Sequence, residues 1–409
     1  MSEKPAPAAA LSVGREATPA ASMLPAWFLA LGTFAIGTEG FMIAPLLPTI
    51  AADLGMSLSA TAMLVVAFTL VLGLSSPVLT VLTAGLRRRD VLVLAMAAFA
   101  AGNLIAAFAS GFGMLLLARI LMALMAGLYT PNASALAGVI VPVERRGKAL
   151  AVVSGGMTIA IALGLPLGSL IGHAFGWRAT FLMVAAMGAV AVLGVLAGVD
   201  RKAGSAVAVP GIGERLAVAR TGAVLRLLAV TLFWSIGAYT AYPYIAPYLA
   251  AVLGFADRGI GATVSLWGLF AALGVFSGGA LSDRFGPARV AAFSLVALGL
   301  AFAALAIATG LPQTAARAVV IGAVAGWGFS VWAFFPAQMS RLIVAGGAGQ
   351  ASVALSLNTS TMYFGFSIGS AMGAGVVGYG AIWMIGALAA LAEGIAVLLD
   401  RRHSAAPPR

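Results

Sequence analysis

The stretch Gly164-Leu165-Pro166-Leu167-Gly168-Ser169-Leu170-Ile171-Gly172 decides the fold, because its glycine ladder occurs twice in the chain. The three glycines recur 201 residues later as Gly365, Gly369 and Gly373, again inside a long apolar run. Glycine at every fourth position gives one helix face a smooth stripe, along which a second helix can approach closely in lipid. The ladder therefore predicts two copies of one helical membrane unit, an arrangement that many secondary transporters use.

The start of each half supports the duplication. Ile36-Gly37 is echoed by Ile236-Gly237 after 200 residues, and Ala44-Pro45 is echoed by Ala246-Pro247 after 202 residues. Three landmarks with nearly the same offset indicate a repeat rather than a chance recurrence of glycine.

Composition excludes a water-soluble globular protein. The chain has 409 residues, of which 62% are hydrophobic and 9% charged, whereas soluble domains carry roughly 25% charged residues. About twenty consecutive apolar residues span a bilayer as a helix. Twelve such windows are predicted: 24–48, 61–84, 91–110, 114–141, 149–173, 180–199, 225–252, 260–281, 290–309, 318–339, 352–378 and 381–399.

The basic residues predict the orientation. If both termini are cytoplasmic, most of the 23 Lys and Arg residues fall in cytoplasmic segments, and Arg178, Arg258 and Arg317 lie opposite. This asymmetry follows the positive-inside rule, so the net charge of +11 is topological and no nucleic-acid partner is expected. We predict a cytoplasmic tail (1–23, disordered), a six-helix bundle (24–199), a cytoplasmic linker (200–224), a second six-helix bundle (225–400) and a tail (401–409).

Glu39 is the sharpest candidate for chemistry. It lies in the middle of the first window, where a charged carboxylate costs about 2.5 kcal/mol or more, so it should face the bundle interior or a wet cavity. A carboxyl that loads and releases a proton as its surroundings alternate is what proton coupling requires. The alternative is a permanently protonated acid that is hydrogen-bonded to a neighbouring helix. Arg119, in the fourth window, either pairs with Glu39 or extends to the outer interface.

Other intramembrane polar and aromatic side chains are candidates for a substrate cavity. Tyr239 and Tyr242 lie deep in the seventh window, whereas Tyr244 and Tyr248 are nearer its outer end and fit either the cavity or an aromatic belt. Asn132, Trp332 and Asn358 are further cavity candidates, with helix cross-linking as the alternative. For Glu393, in the last window, extension to the interface or pairing with a basic end is preferred over a functional role.

The polar stretch 279–289, GALSDRFGPAR, closes the eighth window and enters the ninth. Asp283 at a helix end is placed to pair with a cation across the bundle and so to latch one conformation, and Gly286 permits the tight turn. Gly279, Arg284 and Arg289 complete the predicted latch. The alternative is an ordinary charged loop.

Catalytic chemistry is not expected. The chain has no cysteine and two histidines, it has no Walker phosphate loop, and its Gly365-Phe366-Ser367-Ile368-Gly369 string lies in a predicted helix rather than in a strand–turn–helix elbow. We therefore predict no enzyme activity, no metal and no cofactor.

The chain resembles the major facilitator superfamily over about 24–400. More narrowly, it is similar to the drug:proton antiporter-1 branch, near bacterial arabinose-efflux-permease-like proteins. The stretch 279–289 is similar to the superfamily's signature loop, and Arg119 matches the basic residue of the fourth-helix motif. The other similar stretches are 38–40, 46–48, 51–55, 164–168, 176–181 and 354–358.

The sequence departs from the family pattern at two places. The first-half copy of the signature loop, 80–90, has Ala84 where an acid is expected and Arg87 in place of glycine, so the latch is expected only in the second half. The fifth-helix motif carries one extra residue, Leu165, between its glycine and proline.

The resemblance implies twelve helices in two pseudo-symmetric bundles that alternately open a central cavity, with protons driving efflux. The expected protein is a monomeric inner-membrane exporter of a small neutral or amphipathic molecule, with Glu39 and Arg119 in coupling. Pro166 and the paired glycine ladders are expected to let the fifth and eleventh helices slide and tilt. A symporter or uniporter of the same fold, and a membrane sensor that binds ligand without moving it, are the alternatives.

Overall fold

The computed structural model describes residues 22–201, 213, 218, 220–347 and 350–404. Seven α-helices form the first half: α1 Leu24–Asp53, α2 Leu58–Leu82, α3 Arg88–Ala107, α4 Phe112–Ala137, α5 Arg146–Ile159, α6 Leu165–Phe175 and α7 Trp177–Gly198. Seven more form the second: α8 Gly222–Ala241, α9 Ile245–Leu253, α10 Asp257–Phe285, α11 Pro287–Ala308, α12 Gln313–Gly346, α13 Ala351–Gly378 and α14 Met384–Ser404.

Two of the predicted spans are built from two helices each. A π-helical turn, Ala160–Gly164, joins α5 to α6, and a 3₁₀ turn, Tyr242–Tyr244, joins α8 to α9. A π turn holds one more residue than an α turn. The turn that precedes Pro166 therefore accommodates the extra Leu165 without breaking the span.

Ten helices in the described part of the chain are long and apolar enough to cross a membrane. The last two predicted spans, 352–378 and 381–399, coincide with α13 and α14, which are not among those ten. The helical membrane architecture is confirmed, and the total of twelve spans stays a prediction. The predicted tails and linker fall largely on residues 1–21, 202–212, 214–217, 219 and 405–409, which lie outside the described residues.

The side on which α1 begins is here called the terminal side, and the twelve predicted spans, running in alternate directions, would return the end of α14 to it. Asp53, at the end of α1, lies on the other side, the distal side. Two one-residue links, Gly176 at φ 84° and Gly286 at φ 87°, join α6 to α7 and α10 to α11. Both conformations are left-handed, which glycine adopts without the steric cost of a side chain.

The two glycine ladders occupy equivalent contacts. In the first half, a β-carbon added at Gly164, Gly168 or Gly172 would meet side chains of α1. In the second half, one added at Gly365 or Gly369 would meet α8. Each ladder thus lets the fifth or eleventh span lie directly against the first span of its own half. The other face of α13 packs against α2, and α10 packs against α5 and α6, so these pairs form most of the contact between the halves. The α1 helix also contacts the Tyr242–Tyr244 turn and α9.

Candidate functional site

Glu39 and Arg119 form an ion pair inside the first half. Nη1 of Arg119 donates to Oε1 of Glu39, and both side chains are fully buried. The guanidinium carbon also lies 4.1 Å from the centre of the Phe68 ring, and Nε lies 3.4 Å from the Leu64 carbonyl oxygen. Arg119 therefore does not extend to an interface. The pair brings together α1, α2 and α4, residues far apart in sequence.

Glu39 and Arg119 are joined through only one carboxylate oxygen and one guanidinium nitrogen. Oε2 of Glu39 and Nη2 of Arg119 have no hydrogen-bond partner among the described residues. A bidentate arginine–carboxylate contact would use both. The free oxygen and the free N–H leave room for a proton or a polar ligand group to compete for either partner.

A cavity between the two halves lies beside this pair. Its walls include Gly40, Phe41 and Phe68 from the first half and Tyr239 and Tyr363 from the second, and the space between them is narrow, with about 10 Å³ available to the centre of a water molecule. Phe68 is the wall residue on which the Arg119 guanidinium rests. The ion pair is therefore separated from the space between the halves by a single ring.

A second cavity, with about 10 Å³ available to the centre of a water molecule, is largely aromatic. Eight of its ten lining residues are Phe, Trp or Tyr, and none is charged. Tyr239 stacks on Phe366 with ring centres 3.6 Å apart, and Tyr242 lies 4.8 Å from Trp267. Phe41 is the one lining residue that comes from the first half.

Three of the five predicted cavity residues line this space: Tyr239, Tyr242 and Trp332. Sequence reasoning missed Trp267 and Trp327, which complete the aromatic wall from α10 and α12. Their residue type was a usable signal, but the rotation of α10 and α12 about their axes decides which rings face inwards.

Asn132 and Asn358 line neither cavity. Oδ1 of Asn132 accepts a hydrogen bond from Arg88 at 2.9 Å, and Nδ2 donates to the Leu128 carbonyl. Oδ1 of Asn358 accepts from the Thr231 hydroxyl at 2.6 Å. Both amides therefore cross-link helices nearer the terminal side, the alternative reading of these residues, and we leave them out of the proposed binding site.

Among the bonds of the described residues, three join the two halves near their distal ends. Tyr242 Oη donates to the Phe41 carbonyl at 3.0 Å. Ser59 donates to the Ala374 carbonyl at 2.7 Å, and Ser367 donates to the Val66 carbonyl at 3.1 Å. The distal ends of the two halves are thus tied together.

The predicted latch is not engaged. Asp283, Arg284 and Arg289 are exposed, and Asp283 forms no ion pair with any residue that the structure describes. Gly286 has the left-handed conformation expected of the turn. No atom lies within 4 Å of a β-carbon added at Gly279, so close packing does not require glycine there in this state.

The structure corrects two further expectations. Glu393 does not extend to an interface: its side chain is fully buried beside Gly237 and Gly299, and neither oxygen has a partner in the described chain. Tyr244 and Tyr248 do not form an aromatic belt. Both are buried, and their hydroxyls donate to carbonyls of α13 and α11, each at 2.6 Å.

Comparisons with known proteins agree with this architecture. A bacterial homologue of the human lysosomal transporter Spinster, solved in an inward-facing and unoccupied conformation, shares the fold with a TM-score of 0.73 at 17% identity, covering 93% of this chain and 96% of that one. The inner membrane transport protein YdhP of Escherichia coli (strain K12) is 30% identical, over 91% of this chain and 93% of the relative. A chloramphenicol resistance protein of Streptomyces lividans is 30% identical, over 90% and 94%.

The long apolar helices and these bacterial relatives together indicate a multi-pass inner-membrane protein. The sequence model of the Major Facilitator Superfamily matches residues 29–370. The chain therefore belongs to the major facilitator superfamily, whose members are membrane transporters and not enzymes.

Proposed function

We propose that this protein exports a small neutral or amphipathic organic molecule in exchange for protons. The observation that carries the proposal is the buried Glu39–Arg119 pair, one ring away from the cavity between the halves. Ionisable residues inside a membrane domain are costly and commonly mark proton or substrate pathways. The similarity to a chloramphenicol resistance protein supports export as the direction of transport, because a transporter protects a cell from an antibiotic by exporting it.

The pair supplies a simple coupling step. When Glu39 is ionised, it compensates the charge of Arg119, which otherwise has no counter-ion among the described residues around it. When Glu39 takes a proton, that compensation is lost, and the guanidinium is left buried and unpaired. An unpaired buried charge is strongly unfavourable, so protonation favours a state in which water or substrate reaches Arg119.

The structure corresponds, in this proposal, to the state that is closed on the distal side. The three hydrogen bonds between the halves lie on that side. Asp283, whose latch would close the terminal side, is exposed and has no ion pair in the described chain. Glu39 is paired, as expected after its proton has been released towards the terminal side.

The cavity and the charge distribution complete the proposal. The aromatic cavity has no charged wall residue, which suits a neutral or amphipathic cargo. Basic residues concentrate in the segments on the terminal side, which supports a cytoplasmic location of both termini by the positive-inside rule. Both halves of the pathway come from one chain, so a monomer suffices for transport.

The test is uphill transport by purified protein in proteoliposomes with an imposed proton gradient, using radiolabelled chloramphenicol as the first probe. We expect the Glu39→Gln variant to lose gradient-driven accumulation while it still binds and exchanges the probe. Glu393→Gln is the matched control, because it alters a buried carboxyl that has no basic partner among the described residues, and it should keep accumulation.

Three outcomes would overturn the proposal. Undiminished uphill transport by Glu39→Gln would remove this carboxyl from coupling. Probe movement in the same direction as the protons would show a symporter, and probe flux that is indifferent to the gradient would show a uniporter.

A further inference from the structure

Two tyrosine hydroxyls beside the ion pair differ from those of the other buried tyrosines in the described chain. Four hydroxyls donate a hydrogen bond to a backbone carbonyl at 2.6–3.2 Å, those of Tyr129, Tyr242, Tyr244 and Tyr248. Tyr239 is only 6% exposed and Tyr363 is half-buried, yet neither hydroxyl bonds to another described residue. Both tyrosines line the cavity between the halves that lies beside the ion pair.

This cavity has a polar component that the aromatic cavity lacks. Polar atoms form part of its surface, whereas the surface of the aromatic cavity is wholly apolar. Gly37 and Gly40, which lie on either side of Glu39 in α1, are among its lining residues. Neither has a side chain to fill the space. A gap about the size of one water molecule is therefore left between Glu39's helix and the second half.

Tyr239 is the second-half residue that lies opposite the ion pair. Its ring is held by stacking on Phe366, with ring centres 3.6 Å apart. Its hydroxyl interacts electrostatically with the Arg119 guanidinium and with the Tyr363 hydroxyl. Nη2 of Arg119 has no partner among the described residues. A guanidinium only donates and a phenol oxygen accepts, so the two unpaired groups are complementary.

We propose that Tyr239 is a positioning residue for coupling, whose hydroxyl oxygen accepts a hydrogen bond from Arg119 when Glu39 takes a proton. In the structure, Arg119 donates to Glu39 instead. A proton from water neutralises the carboxylate, and the guanidinium keeps all its own protons. The bond that Arg119 donates then moves from the first half to the second. This deepens the proposed function and rests on it, since Glu39 is taken as the coupling acid.

The position of Tyr239 also relates the proton to the cargo. Tyr239 lines the aromatic cavity as well as the cavity beside the pair. A cargo that displaces its ring would remove the acceptor from Arg119 and so favour the ionised, paired form of Glu39. Cargo and proton therefore oppose each other's binding, which is what exchange in opposite directions requires.

The test is the pH dependence of Glu39 protonation in the full chain in lipid nanodiscs, followed by infrared difference spectroscopy without cargo. The protonated-carboxyl band that is missing from Glu39→Gln belongs to Glu39. Tyr239→Phe keeps the stacked ring and should lower the midpoint of this band by about 1–2 pH units, because only the protonated state loses a hydrogen bond from a charged donor. Tyr244→Phe is the matched control, since its hydroxyl bonds within the second half, and it should leave the midpoint unchanged.

The groups around the cavity allow the effect to be traced to Arg119. The charged or titratable side chains that face Tyr239 in the described chain are Glu39 from α1, Arg119 from α4, Tyr242 from the 3₁₀ turn and Tyr363 from α13. The lining residues from α2 and α5 are uncharged. In an Arg119→Gln background, Tyr239→Phe should no longer lower the midpoint, because Tyr239 acts through the guanidinium.

Four results would overturn the inference: an unchanged midpoint in Tyr239→Phe, a raised one, an equal fall in Tyr244→Phe, or the same fall without Arg119. A raised midpoint would show that the hydroxyl donates to the ionised carboxylate instead. If Tyr239→Phe does not fold, the unaltered protein decides the question. A tyrosine band should then shift at the Glu39 midpoint and stay constant in Glu39→Gln, and its absence would refute the role of Tyr239.

The outcomes separate this inference from the proposed function, because protonation is measured without transport. An unchanged midpoint in Tyr239→Phe, together with loss of uphill transport in Glu39→Gln, would refute only the role of Tyr239. A lowered midpoint together with undiminished uphill transport by Glu39→Gln would refute only the coupling proposal.

Discussion

Tyr242 forms the one tyrosine hydrogen bond that joins the two halves in the described chain, and its removal should open the distal side. The bond exists because Pro45, inside α1, has no N–H to offer the carbonyl four residues earlier, which belongs to Phe41. The Tyr242 hydroxyl supplies the missing donor at 3.0 Å. Tyr242→Phe keeps the ring, whose edge packs against Phe41 at 6.0 Å between centres, and removes only the hydroxyl.

The size of the effect follows from the carbonyl that is left behind. A buried acceptor without a partner costs about 1–3 kcal/mol. The bond joins residues of different halves, so this cost falls on the distal-closed state and is relieved when the halves separate. At tenfold per 1.4 kcal/mol, the ratio of distal-open to distal-closed protein should rise roughly 5- to 150-fold.

The chain's lack of cysteine makes the change measurable. Thr69 lines the cavity between the halves and is 2% exposed, so Thr69→Cys introduces the only thiol at a protected position. A membrane-impermeant maleimide, added to one face of the membrane at a time, should label this thiol from the distal face faster in Tyr242→Phe than in its parent.

Tyr244→Phe is the control, because it also removes a buried tyrosine hydroxyl but breaks a bond within the second half, to the Ser370 carbonyl. It should lower thermal stability and leave distal labelling unchanged. The reasoning fails if Tyr242→Phe labels at the parental rate, or if Tyr244→Phe accelerates labelling equally.

Three further predictions concern stability, read as thermal unfolding of purified protein in detergent. Gly373→Ala should destabilise the folded protein by about 1–3 kcal/mol through overpacking, because the new methyl group meets the α8–α9 span, with the Thr240 carbonyl oxygen at 2.7 Å. Gly375→Ala, in open space on the same helix, should leave stability unchanged. Equal melting temperatures of the two variants would contradict this. Glu393→Met should raise the melting temperature, since it removes two buried oxygens that have no partner in the described part of the chain. A lower melting temperature would contradict this. Asp400→Asn breaks a buried ion pair between α12 and α14 and should cost about 3–5 kcal/mol, whereas Asp53→Asn, at an exposed pair, should cost less than about 1 kcal/mol.

The glycine ladders show how much of the fold the sequence could specify. Their spacing predicted a smooth helix face and a duplicated unit, and the structure places both ladders in equivalent contacts. Spacing alone did not identify the partner helices, because a smooth face fits any neighbour that approaches closely. That the ladders face α1 and α8, within each half, follows only from the packing of all the helices.

The sequence predicted the candidate site best for side chains whose burial in lipid costs much free energy. It predicted the other site residues less well. A carboxylate and a guanidinium in apolar windows must find compensation, which is why Glu39 and Arg119 could be named as partners from sequence alone. An amide such as Asn132 is satisfied by any nearby carbonyl or donor, so its polarity does not indicate whether it faces a cavity. For Trp267, the deciding quantity is helix rotation, which an apolar sequence without strong amphipathicity does not specify.

The two halves share one fold but contribute different residues to the candidate site. The first half holds the ion pair, and the second supplies nine of the ten residues that line the aromatic cavity. In the proposed mechanism, coupling therefore has to cross from one half to the other. Phe41 is placed to carry it, because it lies two residues from Glu39, lines both cavities and accepts the hydrogen bond from Tyr242. Pro45 makes that carbonyl available and weakens α1 at the same point. A change of charge at Glu39 that bends α1 would thus act directly on the Tyr242–Phe41 bond between the halves and on the wall of the proposed cargo cavity.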